Sequence, residues 1–152
     1  MSPQGNTVSP QQSLEQKRAA FAWKCITEVG EDQRKEYSGL AKSAPADIQI
    51  NGLGQILAFW RAKGYEKGKP KGNAHSSIYA HVSEWLGDKK RFNVTKQIVE
   101  EGTGNAKRKV EKWVINWLTE TASTDEYRRA TTEAIAFLVW LKRFAEAELD
   151  EK

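Results

Sequence analysis

The segment Asn51-Gly52-Leu53-Gly54-Gln55 constrains the fold of this chain most, because two glycines interrupt a stretch that otherwise has helical periodicity. Pro45 suits the first turn of a helix and Gly64 suits its end, so the pattern predicts one helix from Pro45 to Lys63. A glycine inside a helix costs about 1 kcal/mol relative to alanine. We therefore expect the missing side chains to permit the close approach of another backbone.

This predicted helix has two different sides when it is drawn at about 100° per residue. One side is broad and apolar, includes Gly52 and is typical of a deeply packed helix. The other side carries small residues and two amides, namely Asp47, Asn51, Gly54, Gln55, Ala58 and Ala62. This second side predicts either an internal helix crossing or a docking face for another subunit or an RNA backbone. In the docking case, a larger residue in place of Gly54 would block docking without unfolding the protein.

Charge is distributed unevenly along the 152 residues, a length that suits a single domain. The chain has 24 basic and 20 acidic residues, and therefore a net charge of +4. Residues 61–119 contain 13 basic and 6 acidic residues, or +7, whereas residues 120–152 contain 5 and 8, or −3. Such asymmetry predicts a polyanionic partner for the middle of the chain, although a basic run also suits a solvated face.

The N-terminal composition and the cysteine content predict a cytoplasmic protein. Cys25 is the only cysteine, so no intrachain disulfide can form. Residues 1–12 are rich in Ser, Pro and Gln, lack the pattern of a signal peptide, and are expected to form a disordered leader before a helical domain at 13–150. The longest apolar run, Ala134 to Leu141, is too short to span a bilayer, so no membrane partner is expected.

Helical periodicity in the rest of the chain predicts an all-α, single-domain bundle of six or seven helices, without a β-hairpin. A capping box at Ser123 and Glu126 marks the start of the last and longest helix. Glycines, lysines and Pro70 predict an irregular, flexible loop at Gly64–Asn73. The predicted helices are Ser13–Val29, Glu31–Lys42, Pro45–Lys63, His75–Leu86, Asn93–Glu101, Asn105–Thr121 and a last helix from Ser123 to about Leu149.

Two segments together resemble one protein family. The first runs from Tyr37 to Trp60 and contains Ala44-Pro45, then Ile48-Gln49-Ile50-Asn51-Gly52-Leu53-Gly54-Gln55. The second runs from Tyr127-Arg128-Arg129-Ala130-Thr131 to Trp140-Leu141-Lys142-Arg143-Phe144. With Arg18-Ala19-Ala20 in the first helix, the pair resembles the small all-helical subunit of type III-B CRISPR effector complexes, the fifth member of the Cmr (RAMP-module) set. The resemblance covers about half of the chain, and the region from 64 to 120 matches only in being helical and basic.

The resemblance implies a role and a set of partners. Members of this family are noncatalytic, stack in several copies along the larger backbone subunits, and help to hold guide RNA and single-stranded target RNA in antiviral defence. Target cleavage in such complexes belongs to the backbone subunit. The implied partners are other Cmr subunits, further copies of this chain, and guide and target RNA, and no cofactor is implied.

The last helix carries the cations that best suit such a role. Arg128, Arg129 and Arg143 fall within about 100° of arc, opposite the core stripe of that helix. Small and apolar residues lie between them, which suits contact with protein or with RNA sugars, while the arginines suit phosphates. The alternative is a solvated face with a local ion pair between Arg129 and Glu133.

Three further cations are candidates. Arg108 and Lys112 point away from the core on the predicted helix 105–121, a position that favours a solvated face, with partner binding as the alternative. Arg18 projects inside the apolar stripe of the first helix, so it must snorkel to solvent, pair with a carboxylate or meet an external anion. The lysines in the 64–73 loop are interpreted as solubilising, with phosphate contact as the alternative. The candidate RNA- or partner-binding residues are therefore Arg18, Asn51, Gly54, Gln55, Arg108, Lys112, Arg128, Arg129 and Arg143.

No catalytic residue, metal site or cofactor is predicted. His75 and His81 lie about 120° apart on one helix and cannot chelate a metal together. His81 with Glu84 is geometrically possible, but two ligands make a weak metal site. Two alternatives to the RNA-binding subunit remain, a small helical metal-dependent ribonuclease using His81 and Glu84, and a helical scaffold that contacts only protein.

Overall fold

The computed structural model describes residues 10–88, 91–92, 94, 97–101, 108–112 and 114–150, with the backbone alone at 10–12, 97–101 and 108–112. The fold is all-α, as predicted, with two small antiparallel hairpins. A 3₁₀ turn at Glu31–Gln33 precedes the second helix, and a π-helical turn at Trp117–Thr121 follows the fifth. The helices are α1 Pro10–Thr27, α2 Arg34–Asn51, α3 Leu53–Gly64, α4 Ala74–Leu86, α5 Val114–Asn116 and α6 Thr124–Glu148. The strands are β1 Tyr65–Glu66, β2 Lys69–Pro70, β3 Gln97–Glu101 and β4 Arg108–Lys112.

The long helix α6 organises the core, because it packs against α1, α2 and α4. Its start is the predicted capping box: the Ser123 hydroxyl accepts from the Glu126 amide at 3.1 Å, and the Glu126 carboxylate accepts from the Ser123 amide at 2.9 Å. Ala41 and Ala44 of α2 are fully buried. Small residues on facing helices permit close packing, which helps to explain the many alanines of this core. The buried residues of α6 are Ala130, Ala134, Phe137, Leu138, Leu141 and Ala145.

The prediction of one helix from Pro45 to Lys63 is wrong. Pro45 lies inside α2, and the helix continues to Asn51. Proline removes one backbone hydrogen bond from a helix, and packing of the buried face at Ala44 and Ile48 offsets that loss. The break is at Gly52, where φ is 91° and ψ is 150°, a conformation that is essentially restricted to glycine. Gly52 is therefore the hinge between two helices and not a glycine inside one.

The predicted helix Asn93–Glu101 is wrong at 97–101 and the predicted helix Asn105–Thr121 is wrong at 108–112, where the chain forms strands, whereas 114–121 is helical. Strand β3 pairs with β4 in an antiparallel register that sets Glu100 opposite Lys109 and Glu101 opposite Arg108. Pairs of opposite charge and β-branched residues favour such a ladder. The periodic apolar spacing that indicates a helix is short here, and pairing across the chain overrides it. The parts of these two predictions at 93, 95–96, 105–107 and 113 lie outside the described residues.

Two smaller predictions need correction. The region Gly64–Asn73 is not wholly irregular, because β1 and β2 form a hairpin with left-handed backbone at Lys67 and Gly68. Helix α1 begins at Pro10 and not at Ser13, so the predicted leader is helical over its last three residues. The remainder of that leader, at 1–9, lies outside the described residues. Within the described part of the chain, none of the helices combines the length and the apolar character that a membrane crossing needs.

Candidate interface for RNA and partner proteins

The predicted arginine face is present on α6. Arg128 and Arg143 are exposed, and Thr132 and Val139 are exposed between them along the same side of the helix. Neither arginine forms an ion pair with another residue that the structure describes. The two cations lie about 22 Å apart along the helix axis. This surface, Arg128, Thr132, Val139 and Arg143, is called the arginine face below.

Arg129, unlike Arg128 and Arg143, has an ion-pair partner within the protein. Its guanidinium pairs with Asp125 at 3.1 Å, not with Glu133, so the predicted local pair with Glu133 is wrong. Both Arg129 and Asp125 are exposed, and an exposed pair of this kind contributes little to stability. The guanidinium also lies 5.8 Å from the ring of Phe92. A contact of Arg129 with an external partner would have to compete with its contacts to Asp125 and Phe92.

Arg18 takes the second of its three predicted alternatives, a carboxylate partner inside the protein. Its Nε and Nη2 donate to the two carboxylate oxygens of Glu133, each at 2.7 Å, and Nη1 donates to Glu15 at 2.8 Å. The hydrogen bond to Glu133 raises the pKa of Arg18 above its ordinary value. Trp85 adds an indole N–H to Glu133 at 2.9 Å. Arg18 therefore joins α1 to α6, and its charge is compensated internally.

Glu133 is the acidic centre of this network. Burial alone would raise the pKa of its carboxyl, but the hydrogen bonds from Arg18 and Trp85 outweigh burial and hold the pKa below its usual range. A bidentate pair with an additional donor is the arrangement in which a largely buried ion pair is fully satisfied.

The three candidates at the glycine segment separate in the structure. The backbone N–H of Gly54 donates to the hydroxyl of Tyr127 at 2.8 Å, so Gly54 faces α6 within the chain, as the internal helix crossing predicts. Asn51 and Gln55 are exposed and line an open groove of about 400 Å³ together with Phe59. The amide of Asn51 donates to the Asp47 carbonyl at 3.2 Å. This groove keeps the two amides together although they belong to different helices.

Arg108 and Lys112 lie on β4 and not on a helix, so the helical face that was predicted for them does not exist. They are opposite Glu101 and Gln97, respectively, in the strand register. Their side chains lie outside the described part of the structure.

The histidine of the ribonuclease alternative, His81, has a partner inside the protein. His81 is buried, and its Nδ1 lies 2.7 Å from the Tyr37 hydroxyl. Burial lowers the pKa of His81 to about 4. His75 lies on the same helix, against the ring of Phe59. Across the described residues, no group of three or more His, Cys, Asp or Glu side chains is placed to hold a metal ion.

A basic groove between α1 and the end of α4 was missed by the sequence analysis. It has a volume of about 520 Å³ and combines cations with aromatic rings. Lys17 and Lys24 are seven residues apart on α1 and therefore share a side of the helix, with Phe21 between them. That spacing was visible in the sequence, but the contribution of Arg91 from a distant segment was not. The residues that line the groove are Leu14, Lys17, Ala20, Phe21, Lys24, Trp85, Asp88 and Arg91.

Comparison with known protein families gives a match over most of the chain. A family model described as CRISPR-associated protein (Cas_Cmr5) matches residues 14–148 of this chain. The match extends from the fifth residue of α1 to the end of α6, and it includes the region from 64 to 120 where the resemblance in individual residues was weak.

Proposed function

Because the chain belongs to the CRISPR-associated Cmr5 family, we propose that it is a noncatalytic subunit of a type III-B (Cmr) RNA-guided effector complex. In this proposal several copies stack along the backbone subunits in the cytoplasm and help to hold guide RNA and target RNA in antiviral defence. The partners are the backbone subunit, further copies of this chain, and the two RNA strands.

The arginine face of α6 is the observation that carries the role in assembly. Arg128 and Arg143 are exposed, and α6 is a 25-residue helix fixed along one side by the core. Two arginines on a rigid helix keep a fixed spacing, whereas cations on a loop would have to be ordered upon binding. Arginine also binds phosphate and carboxylate with two parallel hydrogen bonds, so this surface suits an RNA backbone or an acidic protein surface.

Incorporation into the complex tests this role. The double variant Arg128→Ala/Arg143→Ala should co-purify with the other Cmr subunits several-fold less than the unchanged chain. Both side chains are exposed, so helicity by circular dichroism should stay the same. The matched control is Lys35→Ala/Lys63→Ala, which removes two exposed cations from α2 and α3. Equal incorporation of the two double variants would remove the arginine face from the account.

Exposed apolar side chains favour protein contacts as a second component of the same role. Ile50 is 79 % exposed and precedes Asn51 in the chain, and Phe59 is 48 % exposed and lines the groove together with Asn51 and Gln55. Large apolar side chains that cluster on a surface are typical of protein interfaces. Crosslinking from position 50 and from position 143 in the assembled particle distinguishes the two surfaces. Protein adducts from both positions, without RNA adducts, would favour the scaffold that contacts only protein.

A further inference from the structure

The groove between α1 and the end of α4 has the composition of a site for a phosphodiester strand. Its lining includes the exposed Lys17 and Lys24, the mostly buried side chain of Arg91, and one carboxylate, Asp88. Lys17 and Lys24 are exposed and about 10 Å apart along α1. The lining therefore has three cations and one anion, an excess of two positive charges.

Arg91 is held in place before any ligand arrives. Its guanidinium lies 3.3 Å from the centre of the Trp85 ring, and the indole N–H of Trp85 is fixed on Glu133. Nη1 of Arg91 lies 3.5 Å from Asp88. Among the described residues its buried Nε has no hydrogen-bond partner. A guanidinium stacked on an aromatic ring is already ordered and loses little freedom upon binding.

The two lysines are available for contact. Lys24 lies 4.0 Å from Glu28, and both side chains are more than half exposed, so this pair is weak. Lys17 forms no ion pair within the described part of the chain. Arg18, in contrast, is next to Lys17 in the sequence but is taken up by Glu133 and Glu15. The accessible positive charge of α1 is therefore concentrated at the groove.

The apolar part of the groove favours a nucleic acid over a bare anion. The ring of Phe21 is half-buried and lies 5.6 Å from the buried ring of Trp85, so Phe21 supplies a partly exposed aromatic ring between the two lysines. Single-stranded nucleic acids bind where cations track the phosphates and apolar or aromatic groups contact sugars and bases. Residues 61–119 have a net charge of +7, and Arg91 belongs to that region.

We propose that the groove lined by Lys17, Phe21, Lys24 and Arg91 binds the backbone of single-stranded RNA, as a site separate from the arginine face of α6. The choice of RNA as the polyanion rests on the proposed function. The binding is independent of base sequence, because lysine and arginine contacts to phosphates carry no sequence information.

Binding of a labelled oligouridine to the full chain at several salt concentrations tests this site. For single strands the logarithm of affinity falls with the logarithm of salt concentration by about 0.7 per phosphate contact. The variant Lys17→Ala/Lys24→Ala should bind several-fold more weakly, with the slope reduced by about 1.4. Lys17→Arg/Lys24→Arg should keep the slope of the unchanged chain. The control Lys35→Ala/Lys63→Ala should match the unchanged chain in both affinity and slope.

Three outcomes would overturn the assignment. Unchanged affinity and slope in Lys17→Ala/Lys24→Ala would move RNA contact to another surface. If Lys17→Ala/Lys24→Ala binds oligouridine as the unchanged chain does but no longer enters the Cmr complex, the ligand of the groove is an acidic protein. Absence of oligouridine binding by the unchanged chain would remove the groove site but leave the proposed subunit role intact, because incorporation is measured separately.

Discussion

The backbone N–H of Gly54 donates a hydrogen bond of 2.8 Å to the hydroxyl of Tyr127, which joins the start of α3 to the start of α6. A Cβ atom at position 54 would lie 2.8 Å from that hydroxyl oxygen, whereas the nearest ring carbons would be at 3.8 Å. The absence of a side chain at this glycine therefore serves a contact inside the chain. The first amides of a helix lack partners within the helix, and the Tyr127 hydroxyl satisfies one of them from a distant segment.

A double-mutant cycle at this pair gives a specific expectation. Tyr127→Phe removes the acceptor and should lower the free energy of unfolding by about 1 kcal/mol. Gly54→Ala should also be destabilising in the unchanged chain, because its methyl group meets the hydroxyl oxygen. In the Tyr127→Phe background the same change should stabilise by up to about 1 kcal/mol, since only ordinary contacts remain and alanine favours a helix. Urea unfolding of the four proteins measures the cycle, and additive effects would contradict it.

Substitution of Gly52 is unfavourable for a different reason from substitution of Gly54. A Cβ atom there would meet only the Tyr127 oxygen at 3.9 Å, so space is available, but φ of 91° is unfavourable for any other residue. Gly52→Ala should lower the free energy of unfolding by about 1–3 kcal/mol in the same urea experiment. The matched control is Gly39→Ala in the middle of α2, where a Cβ atom meets nothing within 4 Å and a stabilisation of about 1 kcal/mol is expected. Equal effects of the two substitutions would rule out backbone conformation as the cause.

The Arg18–Glu133 pair should respond strongly to the loss of one partner. Glu133→Ala leaves the largely buried Arg18 with the more exposed Glu15 alone and the Trp85 indole without its acceptor, and should cost up to about 3–5 kcal/mol of unfolding free energy. The variant Arg18→Leu/Glu133→Leu should cost much less than the sum of the two single losses, because no charge is left unpaired. A double variant as unstable as the sum would show that the two side chains act independently.

Acid should weaken the fold through Glu133. The folded-state pKa of this carboxyl is below the ordinary value of 4.5, so the unfolded chain takes up its proton first as pH falls. The contribution of the Glu133 carboxylate to the free energy of unfolding is complete above about pH 4.5. It is lost as the pH falls from there through the folded-state pKa. Glu133→Gln should be less stable at pH 7 and should show a shallower decline at low pH when urea midpoints are compared. An acid limb identical to that of the unchanged chain would exclude Glu133 as its source.

His81 should act in a different pH window. Burial lowers its pKa from the ordinary 6.5 to about 4, so between these values the unfolded chain binds a proton that the folded chain does not. Stability should therefore fall from about pH 6.5 to about pH 4, by up to about 3 kcal/mol. His81→Gln keeps an acceptor for Tyr37 and removes the titration. This variant should start less stable at pH 7 but lose little between pH 6.5 and 4.5, and a decline equal to that of the unchanged chain would exclude His81 as the cause.

The elements that were predicted from the sequence are those whose signals are local. The capping box of Ser123 and Glu126 fixes the start of α6 within a few residues, and the same holds for α4, where the side chain of Asn73 accepts from the Ser76 amide. The elements that were predicted wrongly depend on tertiary contacts. Pro45 predicts a helix start, but core packing carries α2 through it. Each residue of the second hairpin pairs with a residue seven to fifteen positions away in the chain, which periodicity cannot show.

The candidate site was predictable to a similar degree. Exposure of Arg128 and Arg143 follows from the position of the core stripe on α6 alone. The carboxylate partner of Arg18 was one of three alternatives, and its identity as Glu133 required the arrangement of α1 against α6. The basic groove required the return of Arg91 to α1 in three dimensions.

Co-purification decides whether this chain is a subunit of a Cmr effector complex. The tagged full chain, recovered from its native cell and analysed for proteins and RNA, should bring with it the other Cmr subunits and a guide RNA in proportions that fit several copies of this chain. The Arg128→Ala/Arg143→Ala variant should recover less of both. Recovery of the unchanged chain without any CRISPR subunit would contradict the account.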